Sequence, residues 1–190
     1  MWEPRLLEKR LLFLPGMPSV GKTTLLLSIV EDLKAKGFSV GGMISHETRS
    51  SGVRVGFEIV DLNSGRRGWL AHVNQRVGPQ VGKYHVNIED LEGVGVSAVL
   101  KAVESCDVVA IDEVGPMELF SSRFRDAVKR AVESGKLVVG VVHWKAKDNL
   151  IDTIKAREDT EIIVVTEKNR NNLSQTITEK ASELLTYKEK

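Results

Sequence analysis

Short apolar runs alternate with amphipathic stretches along this chain. Leu11, Leu12, Phe13 and Leu14 form a continuous run, as in a strand buried on both faces. From 23 to 36, Leu26, Ile29, Val30 and Leu33 recur at helical spacing, and Gly37 is placed to end that helix. Residues 38–44 read as a second strand, and 108–111, 137–142 and 162–165 as three more short β-branched runs. Phe124, Val128, Ala131 and Val132 mark a further helix closed by Gly135, and Leu173, Ile177, Ala181 and Leu184 mark the last one. Strands alternating with helices predict a parallel sheet covered on both faces.

One stretch breaks this rhythm. Val53, Val55, Phe57 and Ile59 alternate with Arg54, Gly56 and Glu58, the pattern of a half-buried strand. Asn63, Ser64 and Gly65 supply turn residues, and Trp69 and Leu70 fit a returning strand. An antiparallel hairpin over about 52–71 is therefore predicted after the second parallel strand, with a loop over 72–82. Trp2 and Trp144 read as packing residues.

Composition narrows the class. With 190 residues, 42% apolar and 28% charged, the chain fits one globular domain over 1–190. A net charge of +1 and 5% aromatic residues disfavour a nucleic-acid or acidic-membrane surface. A single cysteine, Cys106, excludes a disulfide framework and a multi-cysteine zinc site. No apolar run is long enough to span a bilayer. Arg5, Lys9 and Arg10 before the first apolar run resemble a signal peptide, but Pro15 and Gly16 cut that run short. A cytoplasmic location is the expectation; nothing in the sequence sets an oligomeric state.

The strongest motif follows the first strand. Gly16, Met17, Pro18, Ser19, Val20, Gly21, Lys22 and Thr23 fit the phosphate-binding P-loop, with Thr24 next. Its glycines let successive N–H groups converge on an anion, and the following helix aims its positive end at the same point. Lys22 is expected at the β- and γ-phosphates, Thr23 at Mg²⁺ and Thr24 at the α-phosphate. The second motif is the strand Val108, Val109, Ala110 and Ile111 running into Asp112 and Glu113, then Val114 and Gly115. A carboxylate at a strand's C-terminal end lies at the ligand edge of a parallel sheet. Asp112 is expected to hold Mg²⁺ and Glu113 to orient or deprotonate a water. That pair favours hydrolysis over two alternatives with the same loop, a small-molecule or nucleoside kinase and a nucleotide-binding adapter.

Further elements carry a resemblance. Gly41-Gly42-Met43-Ile44 leads into Glu47-Thr48-Arg49, then Gly52-Val53-Arg54-Val55-Gly56-Phe57 and Gly82-Lys83-Tyr84. Residues 111–119 read Ile-Asp-Glu-Val-Gly-Pro-Met-Glu-Leu, and Thr166-Glu167-Lys168-Asn169-Arg170 follows late. In this order the chain resembles the nucleoside-triphosphatase family first described from thermophiles. Pro116 stands where some members have lysine. The resemblance implies a RecA-like P-loop NTPase fold and Mg²⁺-dependent hydrolysis of ATP, GTP, CTP and UTP or TTP to diphosphate and phosphate, with weak base preference.

Arg49, Arg54 and Arg170 are candidates to stabilise charge on the transferred phosphoryl group, Arg54 first among them. Each also fits a surface arginine or the partner of a carboxylate. Glu47 and Glu118 fit either the metal's surroundings or hydrated turns. His143 fits a γ-phosphate sensor or a hydrogen-bonded surface group. Asn169 and Arg170 are expected to flank the base, although asparagine is equally a helix cap.

Overall fold

The computed structural model describes residues 9–143 and 145–187. Arg5, Trp2 and Trp144 lie outside the described residues. In chain order the elements are β1 (Leu11–Gly16), α1 (Lys22–Ala35), β2 (Val40–Ser50), β3 (Val53–Asp61), β4 (Arg67–His72), β5 (Gln80–Val81), β6 (Tyr84–Val86) and α2 (Ile88–Asp90). A π-helical turn (Leu91–Val96) leads into α3 (Ser97–Ser105). Then come β7 (Val108–Val114), α4 (Ser122–Glu133), β8 (Leu137–His143), α5 (Asn149–Ala156), β9 (Thr160–Ile162) and α6 (Arg170–Tyr187).

Among the described residues nine strands form one sheet ordered β5-β6-β4-β3-β2-β7-β8-β1-β9. From β2 to β9 every pairing is parallel; from β2 to β5 every pairing is antiparallel. β2 belongs to both halves. Its first residues, Val40–Met43, pair with β7, and Met43–Ser50 pair with β3.

Side chains alternate across the parallel strands, so each continuous apolar run feeds two cores. Leu12 and Leu14 of β1 pack with Leu26, Ile29 and Leu33 of α1 and Ile177 and Ala181 of α6. Leu11 and Phe13 face the other way, into the core made with Phe124 and Val128 of α4 and Ile151 of α5. Val108 and Ala110 of β7 join the first core, Val109 and Ile111 the second. This two-sided burial is why these strands read as unbroken hydrophobic runs.

Several boundaries differ from the sequence reading. β2 runs on to Ser50, so the hairpin starts from within the second strand rather than after it. The stretch expected as a loop holds β5, and β6 follows it. The last parallel strand is Thr160–Ile162 rather than 162–165; Val165 keeps only an isolated bridge to Gly16. The segment 88–105, unassigned from sequence, covers one face of the antiparallel half through Leu91, Val94, Val99 and Ala102. Glycines at 93 and 95 in its first turns hide its helical period.

Candidate active site

The loop from Gly16 to Thr23 joins β1 to α1 at the C-terminal edge of the parallel strands. Gly21 caps α1 with φ of 99°, a left-handed value that strains any other residue. A glycine cap has no side chain to offer, and α1 carries no side-chain cap hydrogen bond. The first-turn N–H groups are thus left to an anion. Lys22 Nζ donates to the carbonyls of Gly16 at 3.0 Å and Met17 at 3.2 Å, so its charge is held across the mouth of the loop.

The acid pair sits two strands away, on β7. Ile111 pairs with Gly140 and Val114 with Val142, so β7 has one residue more than β8 over this interval. Such a bulge re-aims side chains at a sheet's edge. Asp112 is 1% exposed, and its Oδ2 accepts a 3.5 Å hydrogen bond from Ser45 N–H on β2. Burial pushes its carboxyl up to about 7, opposed by a hydrogen bond from Thr23 and the charge of Lys22 and reinforced by Glu113. Glu113 Oε1 is buried with no hydrogen-bond partner. Glu118, in the short turn after β7, is also buried; burial first, then the Glu113 charge, push it up to about 8. Gly115 lies between the two glutamates. A Cβ there would meet Glu118 Oε2 at 3.2 Å and Glu113 Oε1 at 3.3 Å.

Three carboxyl groups and one lysine therefore converge, and their mutual repulsion adds to burial in holding the Asp112 and Glu118 protons. Thr23 and Asp112 supply hard oxygen donors already in mutual contact, the chemistry that suits Mg²⁺. Among the described residues no three of His, Cys, Asp and Glu form a closed metal cluster. An open arrangement completed by phosphate oxygens is the usual form of a Mg²⁺ site.

Val108, Val109, Ala110, Ile111 and Val114 are at most 1% exposed. Their side chains belong to the two cores and carry the acid pair from behind. Ser45 went unrecognised from sequence, because its contribution is a backbone N–H that depends only on β2 continuing past Ile44.

The arginines divide. Arg54 Nε donates to Tyr84 Oη at 3.0 Å and Nη1 to Glu47 at 3.0 Å, while its guanidinium lies over the Phe57 and Tyr84 rings. Arg49 takes the other oxygen of Glu47. Glu47, with its carboxyl held below the ordinary value by Arg49 and then Arg54, is thus a hairpin ion-pair partner. Arg170, by contrast, reaches the loop itself: Nη1 donates to Val20 O at 3.0 Å. Asn169 closes the preceding turn, accepting from Thr166 N–H and donating to Val164 O. His143 ends β8 opposite Gly16, and its Nδ1 accepts from Lys145 N–H. Cys106 is buried against Asn63.

The parallel order, with the loop leaving β1 and the acid pair on β7 beyond β8, is that of the P-loop NTPase class. The family model described as NTPase matches residues 11–178, and the chain belongs to this family of nucleoside-triphosphatases. It is 46% identical over 161 residues to the nucleoside-triphosphatase THEP1 of Thermofilum pendens, covering 84% of this chain and 88% of that one. The crystal structure of THEP1 from Aquifex aeolicus superposes with a TM-score of 0.78 at 30% identity, over 87% of this chain and 95% of that one. The solution structure of a human cancer-related nucleoside triphosphatase gives 0.75 at 36% identity, over 88% and 95%.

Proposed function

We propose that this enzyme hydrolyses nucleoside triphosphates to the diphosphate and phosphate, depends on Mg²⁺ held by Thr23 and Asp112, and discriminates weakly among bases. The observation that carries the reading is the buried, unpartnered Glu113 Oε1 beside Asp112 at the edge that the P-loop faces. A carboxylate oxygen kept dry and without a donor costs stability unless a ligand or water completes it.

In this reading the N–H groups of the Gly16–Thr23 loop bind the β-phosphate region. Lys22 Nζ exchanges the Gly16 and Met17 carbonyls for β- and γ-phosphate oxygens. Glu113 Oε1 orients the attacking water and accepts its proton. A cation held by Asp112 and Thr23 would favour the ionised form of the Asp112 carboxyl against the burial that raises it. A cation held by Thr23 and Asp112 would offset the negative charge that builds on the phosphate oxygens as the γ-phosphorus–oxygen bond breaks. Arg54 would meet a phosphate only by leaving Glu47 and Tyr84, so the proposed chemistry rests on Lys22 and Glu113.

The test is phosphate release from ATP, GTP, CTP and UTP by the purified enzyme, with Mg²⁺ and with chelator, and no added acceptor. Turnover of all four within about tenfold, lost with chelator, is expected; tenfold is ~1.4 kcal/mol of discrimination. Nucleoside diphosphate formed only when a hydroxyl acceptor is added, with the phosphoryl group on that acceptor and no free phosphate, would make the enzyme a kinase. A thousandfold preference for one base would overturn the weak discrimination.

A further inference from the structure

We infer that Arg170 is a stacking platform for the nucleobase, and that this planar contact, rather than hydrogen bonding to base edges, lets one site take purines and pyrimidines. The inference rests on the reading of Gly16–Thr23 as the triphosphate cradle.

Arg170 is the first residue of α6, and its arm crosses the loop. A Cβ on Gly21 would lie 3.6 Å from Arg170 Nη1 and 3.7 Å from its Cδ, so the side chain runs over bare glycine backbone. The hydrogen bond to Val20 O ties one edge of the guanidinium. Below, Arg170 N–H donates to Thr166 O within the turn that Asn169 closes. The backbone of Arg170 is therefore fixed and one edge of its plane is held, yet the residue remains exposed.

The space beside it has the right position. A cleft of about 440 Å³ starts at Gly21 and Thr24 and runs between α1 and α6, past Leu25 and Ser28 to Ser174. Its floor is closed by the Ser174–Ser28 hydroxyl bond at 2.8 Å and by Asp32, which accepts from Ser174. A triphosphate whose α-phosphate lies at Thr24 leaves the loop at the mouth of this cleft, so its nucleoside must pass Arg170. An exposed guanidinium face attracts any aromatic ring, because every base has a π-face. Of the side chains lining this cleft besides Arg170, the Asn171 carboxamide alone offers a donor and an acceptor side by side, the rest being serines, Thr24 and Leu25. Asn169 is spent on Thr166 and Val164, which makes it a positioning residue for Arg170.

Calorimetric binding of ATP, UTP and inorganic tripolyphosphate, each with Mg²⁺, to wild type, Arg170→Ala and Arg170→Lys tests this. Stacking predicts that Arg170→Ala weakens ATP about tenfold to a hundredfold and UTP less, from its smaller ring. Tripolyphosphate affinity should change less than twofold. Arg170→Lys keeps the charge but loses the plane, and should follow the alanine variant. Equal losses for ATP and tripolyphosphate would overturn the inference, since the arginine would then be holding phosphate or the loop. Unchanged ATP affinity would overturn it as well. Wild type that binds neither ligand would instead defeat the reading of the triphosphate cradle.

Discussion

The hairpin and the ligand edge of the parallel half treat charge in opposite ways. In the antiparallel half the hairpin charges are paired: Glu47 holds Arg49 and Arg54, and Glu58 holds Arg67. These groups are largely exposed, so the pairs contribute little individually and serve to fix the hairpin's shape. At the ligand edge Asp112 and Glu118 are buried beside the half-buried Glu113, with Lys22 as the nearby cation and Glu113 Oε1 left without a donor. Such a cluster destabilises the resting protein. Paired charge marks architecture here, and unpaired buried charge marks the place prepared for a ligand.

That contrast breaks most visibly at Glu113. Glu113→Gln keeps the size and removes the basic oxygen, so single-turnover hydrolysis should fall by about 10²–10⁴, equal to ~2.7–5.5 kcal/mol of barrier. Nucleotide affinity should stay near wild type, because binding rests on the loop and Lys22. Hydrolysis at the wild-type rate in a folded variant would move water activation to another group.

Glu118 sharpens the comparison through stability. Its folded pKa is raised to about 8, above the ordinary carboxyl value near 4.3. The sign follows: a raised folded value means stability present below the unfolded pKa and lost as pH rises through the folded one. Glu118→Gln removes that loss. In metal-free protein at pH 9 the variant should be more stable by about 2 kcal/mol, or roughly 4–8 °C in Tm, with the gap closing near pH 4. Thermal melts across that range check it; a gap independent of pH would show that the carboxyl is not carrying buried charge.

What the sequence made legible follows the same division. The parallel strands, α1, α4 and α6 are visible because double-sided burial enforces unbroken apolar runs and helical stripes. The loop and acid pair are visible because their chemistry demands particular residue types at fixed spacing. Less legible were features set by backbone pairing. β2 carries polar Ser45, His46 and Glu47 past the end of its apolar run, and only pairing with β3 keeps it extended. β9 is three residues long, and α5 only eight, with its cap at Asp148. The pairing of Arg54 with Tyr84 joins residues 30 apart across β3 and β6, which no local pattern announces.

At the hairpin, a smaller effect is expected. An arginine acting in cis on the transferred phosphoryl group is worth 10³-fold or more. Arg54 is instead engaged by Glu47 and Tyr84, so Arg54→Ala should lower turnover by less than about tenfold. It should cost about 1 kcal/mol of stability, from a half-exposed ion pair and the contacts with two rings. Steady-state rates beside a denaturant titration separate the two, and a rate loss beyond 10³ with stability intact would place Arg54 at the phosphate.

The smallest effect belongs to a paired charge inside the parallel half, where α4 meets α5. Arg125 donates from Nη1 and Nη2 to the two oxygens of Asp148 at 2.9 and 2.6 Å, and Asp148 Oδ1 also accepts from Leu150 N–H as the cap of α5. The Arg125 hydrogen bond, chiefly, lowers the Asp148 pKa. A lowered folded value reverses the sign found for Glu118: stability is present above the unfolded pKa near 4 and is lost as pH falls through the folded one. Asp148→Asn preserves an acceptor for the cap and removes the charge. With Arg125 one-third exposed, it should cost no more than about 1 kcal/mol at pH 7, and progressively less as pH falls below the ordinary carboxyl range through the folded value. Asp148→Ala loses the cap too, adding about 1 kcal/mol that persists at low pH. Melting curves of the three proteins from pH 7 to pH 3 read both contributions. If the asparagine variant stays equally destabilised at pH 3, the pair acts by shape alone, and paired charge in this half would differ from paired charge in the hairpin.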